Sequence, residues 1–407
     1  MKKKELLFAV ILFIVETFID ELFIQFLLGL IVVTCFLILN KFKVPNIVFL
    51  VPLIMITLIG FINGIIFNYQ TFNFFRDSIY FITVIVVITI GLFNIKIMEK
   101  NSIDFIKVFI FSVSLNIMYR FFNLLFSNYS NLDLFNLIRD EARGIEITLP
   151  ITIIILLFYK SFSSNYLISK RVDLILLILN SSFLLLSISR TGIVNLVIGL
   201  LVFQIFKLKR NKIKIKLNFG LIILLVVTLV IFFLIPKEII EILVQKFLNT
   251  INEVDSQNNW SSLSDIVSNW RGYEVNVANS LISNGTYYNR IFGFGFGKLI
   301  PVQFSNLVGV PVTDGGITIL HNGYYHILVK SGIVGLCFYL YFFLKIIFKG
   351  LLSKKTFNEV ILICISLIYI VSSFVITGLF AVPTKISVLL LIAFLIKKRN
   401  NVSERKV

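Results

Sequence analysis

The stretch VDLILLILNSSFLLLSISRTGIVNLVIGLLVFQIF, residues 172–206, carries only two charges, Asp173 at its start and Arg190 in its middle. One bilayer crossing takes about 20 apolar residues, so the stretch is too long for one. Ser187-Ile-Ser-Arg190-Thr-Gly192 is the polar, turn-forming place to divide it. Two spanning helices, 172–188 and 191–206, follow, with an arginine at the turn between them. The rest of the chain repeats this pattern. Of its 407 residues, 58% are hydrophobic and 14% charged, against about 45–50% and about 25% in soluble domains. That excludes a soluble enzyme, a disordered chain and a secreted disulfide scaffold. Cys35, Cys337 and Cys364 all lie in apolar runs and read as buried hydrophobes.

Apolar runs bounded by polar clusters predict twelve spans: 6–19, 22–39, 44–66, 72–93, 103–126, 145–159, 172–188, 191–206, 217–235, 322–347, 357–380 and 386–396. The expected fold is an all-α integral membrane protein of about twelve transmembrane helices. Residues 1–235 hold helices one to nine, 236–320 form one large extracytoplasmic loop, and 321–407 hold the last three helices and a basic tail. Lys2, Lys3 and Lys4 before an apolar run resemble the start of a signal peptide, but no small-residue cleavage site follows, so a retained first helix is expected.

Charge supports this layout. With the N-terminus inside, the seven cytoplasmic segments hold 26 of the 38 Lys and Arg residues, the bias that orients membrane helices, and both termini are cytoplasmic. The net charge of +17 is thereby spent on topology, and no nucleic-acid partner is expected. Only four of those 26 are Arg, whereas seven of the 12 on the outer side are: Arg76, Arg120, Arg139, Arg143, Arg190, Arg271 and Arg290. Outer cations oppose the orienting bias and need another reason. Some pair with acids such as Asp77, Asp140 and Glu141. Arginine's planar fork also suits phosphate and carboxylate, and an anionic ligand on the outer face is the favoured reading.

The large loop carries both tryptophans. Ile240, Leu243, Val244, Phe247, Ile251 and Val254 recur at helical spacing, which suits an interfacial amphipathic helix over 237–254. A second helix is expected over 264–283, with Ile266, Trp270, Val277 and Leu281 near one face and Arg271 beside them. The run Ile291-Phe-Gly-Phe-Gly-Phe-Gly297 lacks the flanking strand and helix of a dinucleotide fingerprint and reads as a flexible turn that lets backbones approach closely.

The only two histidines lie at His321-Asn322-Gly323-Tyr-Tyr-His326, where span ten opens. Five residues apart, they sit about 140° apart on a helix, a poor arrangement for sharing a metal, and neither metal nor cofactor is expected. His321, at an outer helix end, suits general-base work; His326 reads as a packed or lipid-interface histidine. Arg190, flanked by two apolar runs, is a functional candidate because such placement is costly. Arg143, beside Gly144 at a span entrance, is a further ligand candidate. Glu16, Asp20 and Glu21 read as a polar hairpin turn.

These residues resemble the O-antigen ligase and O-antigen polymerase superfamily of bacterial envelope enzymes. The shared signatures are Ser189-Arg190-Thr191-Gly192, then Arg271 followed by Gly293–Gly297, then His321-Asn322 with Gly332 and Gly335 beyond. The resemblance implies a glycosyltransferase in the bacterial cytoplasmic membrane with its site on the outer face and a glycan on undecaprenyl diphosphate as donor. It implies Arg190 and Arg271 on the diphosphate, with Arg143, Arg290 and Asn322 as further substrate-binding residues. His321 would act as base or orienter for the acceptor hydroxyl. It also implies a separate regulator that contributes to chain length. Trp270 directly before Arg271 departs from the usual pattern and loosens the match there. The acceptor is not written in the sequence: a second lipid-linked repeat unit makes a polymerase, the reading preferred here by analogy, and lipid A core or another acceptor makes a ligase. A lipid-linked oligosaccharide flippase is the non-enzymatic alternative.

Overall fold

The computed structural model describes residues 1–19, 21–126, 137–138, 140–163, 165–187, 189–211, 263, 266, 269–302, 316–353, 356–380 and 386–404. The expected span 217–235, the amphipathic helix 237–254 and Arg139 lie outside the described residues. The fold is all-α. Its helices are α1 Lys3–Phe18, α2 Leu22–Leu39, α3 Val51–Ile66, α4 Thr71–Lys100, α5 Phe105–Phe126, α6 Thr148–Phe162, α7 Lys170–Ser187 and α8 Arg190–Asn211. They continue with α9 Trp270–Ser283, α10 Tyr287–Phe292, α11 Gly323–Leu352, α12 Phe357–Ser372 and α13 Ile386–Glu404. Many are rich in Ile, Val and Phe, which are not strong helix formers in water. In a bilayer every backbone polar group must be satisfied internally, and only a helix does that within one segment.

Among the described residues, six stretches are long and apolar enough to cross a membrane: Leu22–Leu39, Val48–Ile66, Thr71–Asn94, Phe105–Phe126, Arg190–Lys207 and Gly323–Leu352. Helices α6 and α12 are apolar but shorter. The predicted span 357–380 is interrupted. Helix α12 stops at Ser372, and after a turn a 3-10 helix, Gly378–Phe380, follows. Gly378 takes φ +75 there, with Ser373 Oγ and Tyr339 Oη against the face where a Cβ would stand. Hydropathy reads straight through this turn because every residue from Val375 to Phe380 except Thr377 and Gly378 is apolar.

Helix α4 lies between α2, α3 and α13, and α11 packs on α3 and α12. Helix α12 in turn packs on α8. Helix α2 presents Phe23, Ile31, Ile38 and Leu39 outward, a surface suited to lipid. The two ends of the bundle differ. At one end Lys2 Nζ donates to Ser102 O (3.0 Å), Lys4 Nζ to Asn101 Oδ1 (2.6 Å), and Arg399 lies 3.6 Å from Glu359. The other end is where α8 and α11 begin. Glu16 accepts from the Ser387 backbone N–H at 2.6 Å, so it satisfies one of the orphan donors in the first turn of α13. That gives this buried acid a structural task.

Candidate functional site

The site end is organised by the glycine run. Residues 293–297 lie extended between α3 and α11. The N–H of Phe294 donates to Val329 O (2.7 Å), that of Gly295 to Lys330 O (3.1 Å) and that of Phe296 to Gly60 O (2.8 Å). Asn63 Nδ2 donates to Phe292 O at 2.6 Å and Tyr288 Oη to Asn63 Oδ1 at 2.7 Å. Gly293, Gly295 and Gly297 take φ of +83, +89 and +90, and a Cβ on Gly295 would run into the backbone of Asn63 and Gly64. Close approach is therefore as expected, but the segment is a hydrogen-bonded wedge and not a flexible turn. Helix α11 breaks to receive it, at Gly332 with φ +68. Gly295→Ala is expected to cost about 1–3 kcal/mol from φ alone, more with the collision. A melting midpoint in detergent equal to wild type would mean that the wedge is not seated this way.

Beneath the wedge lies a buried ion pair. Lys330 Nζ is 2.5 Å from Asp77 Oδ2 and donates to Lys298 O at 2.7 Å, and the Gly297 N–H donates to Asp77 Oδ2 at 2.8 Å. Lys330 is 0% exposed and Asp77 1%. The pair therefore ties α4 and α11 to the end of the glycine segment. One turn before Lys330, His326 is buried with its ring stacked on Phe81 at 5.7 Å.

His321 lies at the mouth of this assembly. Asn322 caps α11, its Oδ1 accepting from the N–H groups of Tyr324 and Tyr325 (3.0 and 3.2 Å) while its Nδ2 donates to Phe374 O (3.1 Å). The cap fixes the direction of the preceding residue. His321 Nδ1 lies 2.9 and 3.1 Å from the two carboxylate oxygens of Glu274, and the His321 backbone N–H donates to Glu274 Oε2 at 2.9 Å. Glu274 also accepts from Trp270 Nε1 at 2.6 Å and is fully buried. A buried carboxylate facing Nδ1 holds the proton on that nitrogen and leaves the Nε2 lone pair for other work. The His321 side chain is 43% exposed, so that nitrogen is within reach of a ligand. Trp270 and Glu274 stand one turn apart on α9, and Arg271 leaves the same helix about 60° round the axis from Glu274. Glu274 and His321 are thus paired, with Arg271 three residues before Glu274 on the same helix.

Arg190 reaches the same end through α12. Gly199 of α8 lies against Cys364 of α12. Nine residues back to Arg190 and eight forward to Ser372 are roughly 13 and 12 Å of helix rise, so Arg190 lies level with the end of α12. There Ser373 O accepts from the Gly323 N–H at 2.8 Å. Ser189 Oγ accepts from the Gly192 N–H at 3.1 Å, which caps α8 and seats Arg190 in its first turn. Arg143 is exposed and pairs with Asp140 at 2.9 Å. Arg290 donates to Ser283 O and lies over the Tyr287 ring at 5.6 Å, a contact that closes the C-terminus of α9.

The O-antigen ligase family model matches residues 175–340, a stretch that contains Arg190, Arg271, Glu274 and His321. Over that stretch the chain is similar to the O-antigen ligase family. No curated protein and no solved structure matches it. The O-antigen ligase match begins within α7 and ends within α11, so it takes in the glycine wedge and the break at Gly332 as well as the His321 cluster. Members of that family are glycosyltransferase-like ligases and polymerases. Within that framework Glu274 is the residue that sequence reasoning missed. The available signal was a carboxylate one turn from Trp270 within the apolar stripe of the expected 264–283 helix.

Proposed function

We propose that the protein is a polysaccharide polymerase that transfers glycan from undecaprenyl diphosphate onto a second lipid-linked repeat unit, at the outer face of the bacterial cytoplasmic membrane. The observation that carries this reading is the Glu274–His321 pair, on the helix that also carries Arg271, inside the family-matched stretch. His321 Nε2 takes the proton of the acceptor hydroxyl, whose oxygen bonds to the anomeric carbon as the bond from that carbon to the diphosphate oxygen breaks. Glu274 stabilises the imidazolium formed. Arg190 and Arg271 neutralise the charge that develops on the departing diphosphate, where fixed cations in a partly dry site act strongly. Arg143 is the more peripheral helper. Asn322 and Arg290 act on substrate chiefly through the backbone they hold. Gathering of Lys2, Lys4 and Arg399 at the opposite end of the bundle supports an outward-facing site.

The test is a glycan profile from purified protein supplied with undecaprenyl-diphosphate repeat units. A ladder of lipid-linked multimers, lost in Arg190→Ala and in Arg271→Ala, is the expected result. Transfer to a core or other acceptor would make the enzyme a ligase, and lipid-linked units crossing the bilayer without transfer would make it a flippase. Arg190→Lys is expected to recover little of the activity, because an ammonium cannot supply the two-pronged contact. Full activity in Arg190→Lys would reduce the clamp to simple charge.

A further inference from the structure

An open cavity of about 430 Å³ lies between the turn joining α3 to α4 and the segment after the glycine wedge, lined by Tyr69, Gln70, Asn73, Gly297, Lys298 and Leu299. Helix α3 runs antiparallel to α11, with Phe49 near Phe342 and Asn63 against the segment seated at Lys330. The turn therefore belongs to the end of the bundle where α11 begins. Among the described residues no carboxylate lines the cavity. Its polar side chains are instead arranged as donors. Arg76 donates to Asn73 Oδ1 at 2.6 Å, and Asn73 Nδ2 donates to Gln70 Oε1 at 2.5 Å. With its oxygen so occupied, the exposed Gln70 has its amide N–H groups to offer. A guanidinium at the head of such a relay polarises each amide toward the next. Lys298 Nζ is held over the Tyr69 and Phe294 rings at 5.9 and 5.6 Å. Burial pushes the Tyr69 hydroxyl up to about 12, so it stays protonated and able to donate. Next to the cavity, Phe72 and Phe75 in the first turns of α4 are 65% and 57% exposed, an apolar face continuous with the lipid side of the bundle.

We propose that this cavity binds the phosphate-bearing head of a membrane-anchored ligand and, on the polymerase reading on which this rests, the diphosphate of the acceptor lipid. A cavity that offers an ammonium and amide and hydroxyl donors, with no carboxylate among its described lining, favours an anion rich in acceptor oxygens. The adjoining phenylalanines suit a ligand whose anion is tethered to a lipid tail. A polymerase handles two such lipids at once, and the Arg190–Arg271 clamp accounts for only one.

The probe is radiolabelled farnesyl diphosphate bound at equilibrium to the full-length protein in detergent. Two saturable classes are expected. Gln70→Glu, an exposed change that places a carboxylate in the cavity, should weaken one class about 10- to 100-fold, and Arg190→Ala should weaken the other. Lys298→Met, which keeps the packing on both rings, should match Gln70→Glu. A single class in wild type, or two classes untouched by both cavity variants, overturns the proposal. If the cavity class responds as expected while Arg190→Ala weakens neither, the clamp reading fails and this one stands. Inorganic pyrophosphate competing as well as farnesyl diphosphate for the cavity class would overturn the lipid-anchored assignment. Loss of that class in phosphatidylglycerol nanodiscs would make it a bulk-lipid headgroup site and overturn the acceptor assignment.

Discussion

His321→Ala is expected to reduce glycan transfer by about 10²- to 10⁴-fold, the usual range for losing a positioned general base, with normal accumulation in the membrane. The side chain is 43% exposed and its removal leaves no cavity in the core. Glu274→Gln should approach the same loss by a different route. Three donors converge on the Glu274 carboxylate: Trp270 Nε1, the His321 backbone N–H and His321 Nδ1. A glutamine has one oxygen for them, and its amide would turn N–H groups toward at least one. If the amide donates to Nδ1, the proton moves to Nε2 and the base is lost. A fall in kcat with little change in KM would fit an orienting role. Full activity in Glu274→Gln would show that the pairing does not set the tautomer. His326→Ala should retain the chemistry, since that ring is packed on Phe81, and equal sensitivity at both histidines would refute the assignment of the base to His321.

Asp77→Ala is expected to be the most destabilising single change. It leaves the Lys330 ammonium fully buried with the Lys298 carbonyl as its one remaining partner in the trio, and the Gly297 N–H loses its acceptor. Removing one partner of a buried pair costs about 3–5 kcal/mol, against a total stability of about 5–15 kcal/mol for a folded domain. The protein should be recovered poorly from membranes and melt well below wild type in detergent. Replacing both members, as in Asp77→Asn with Lys330→Met, should restore most of the loss, because no charge is then left buried without a partner. A single Asp77→Ala variant as stable as wild type would show that the pair does not hold the glycine wedge.

Much of the architecture is local in origin and was legible. The apolar runs are set by bilayer thickness, and their helical form by the absence of water to satisfy a backbone. Polar clusters gave most helix boundaries to within a few residues. The bend after Ser372 escaped because it is written in apolar residues and one glycine at positive φ, and hydropathy cannot see φ.

Arg190, Arg271 and His321 were visible because each is an unusual residue in its place: an arginine between two apolar runs, an arginine beside an amphipathic stripe, and one of two histidines at a helix entrance. Their individual roles could be suggested from chemistry alone. What joins them could not. Glu274 meets His321 across 47 positions, Asp77 meets Lys330 across 253, and Ser387 meets Glu16 across 371. No periodicity spans such separations, since these contacts depend on how helices pack around the glycine wedge. The sequence by itself determined most of the helices, the lysine-rich and arginine-rich sides and the candidate residues, because hydropathy and charge act residue by residue against a fixed solvent. Only the tertiary structure decided that a buried carboxylate stands behind His321 and a buried ion pair beneath the glycine run, because a partner for a desolvated charge is chosen by proximity in space.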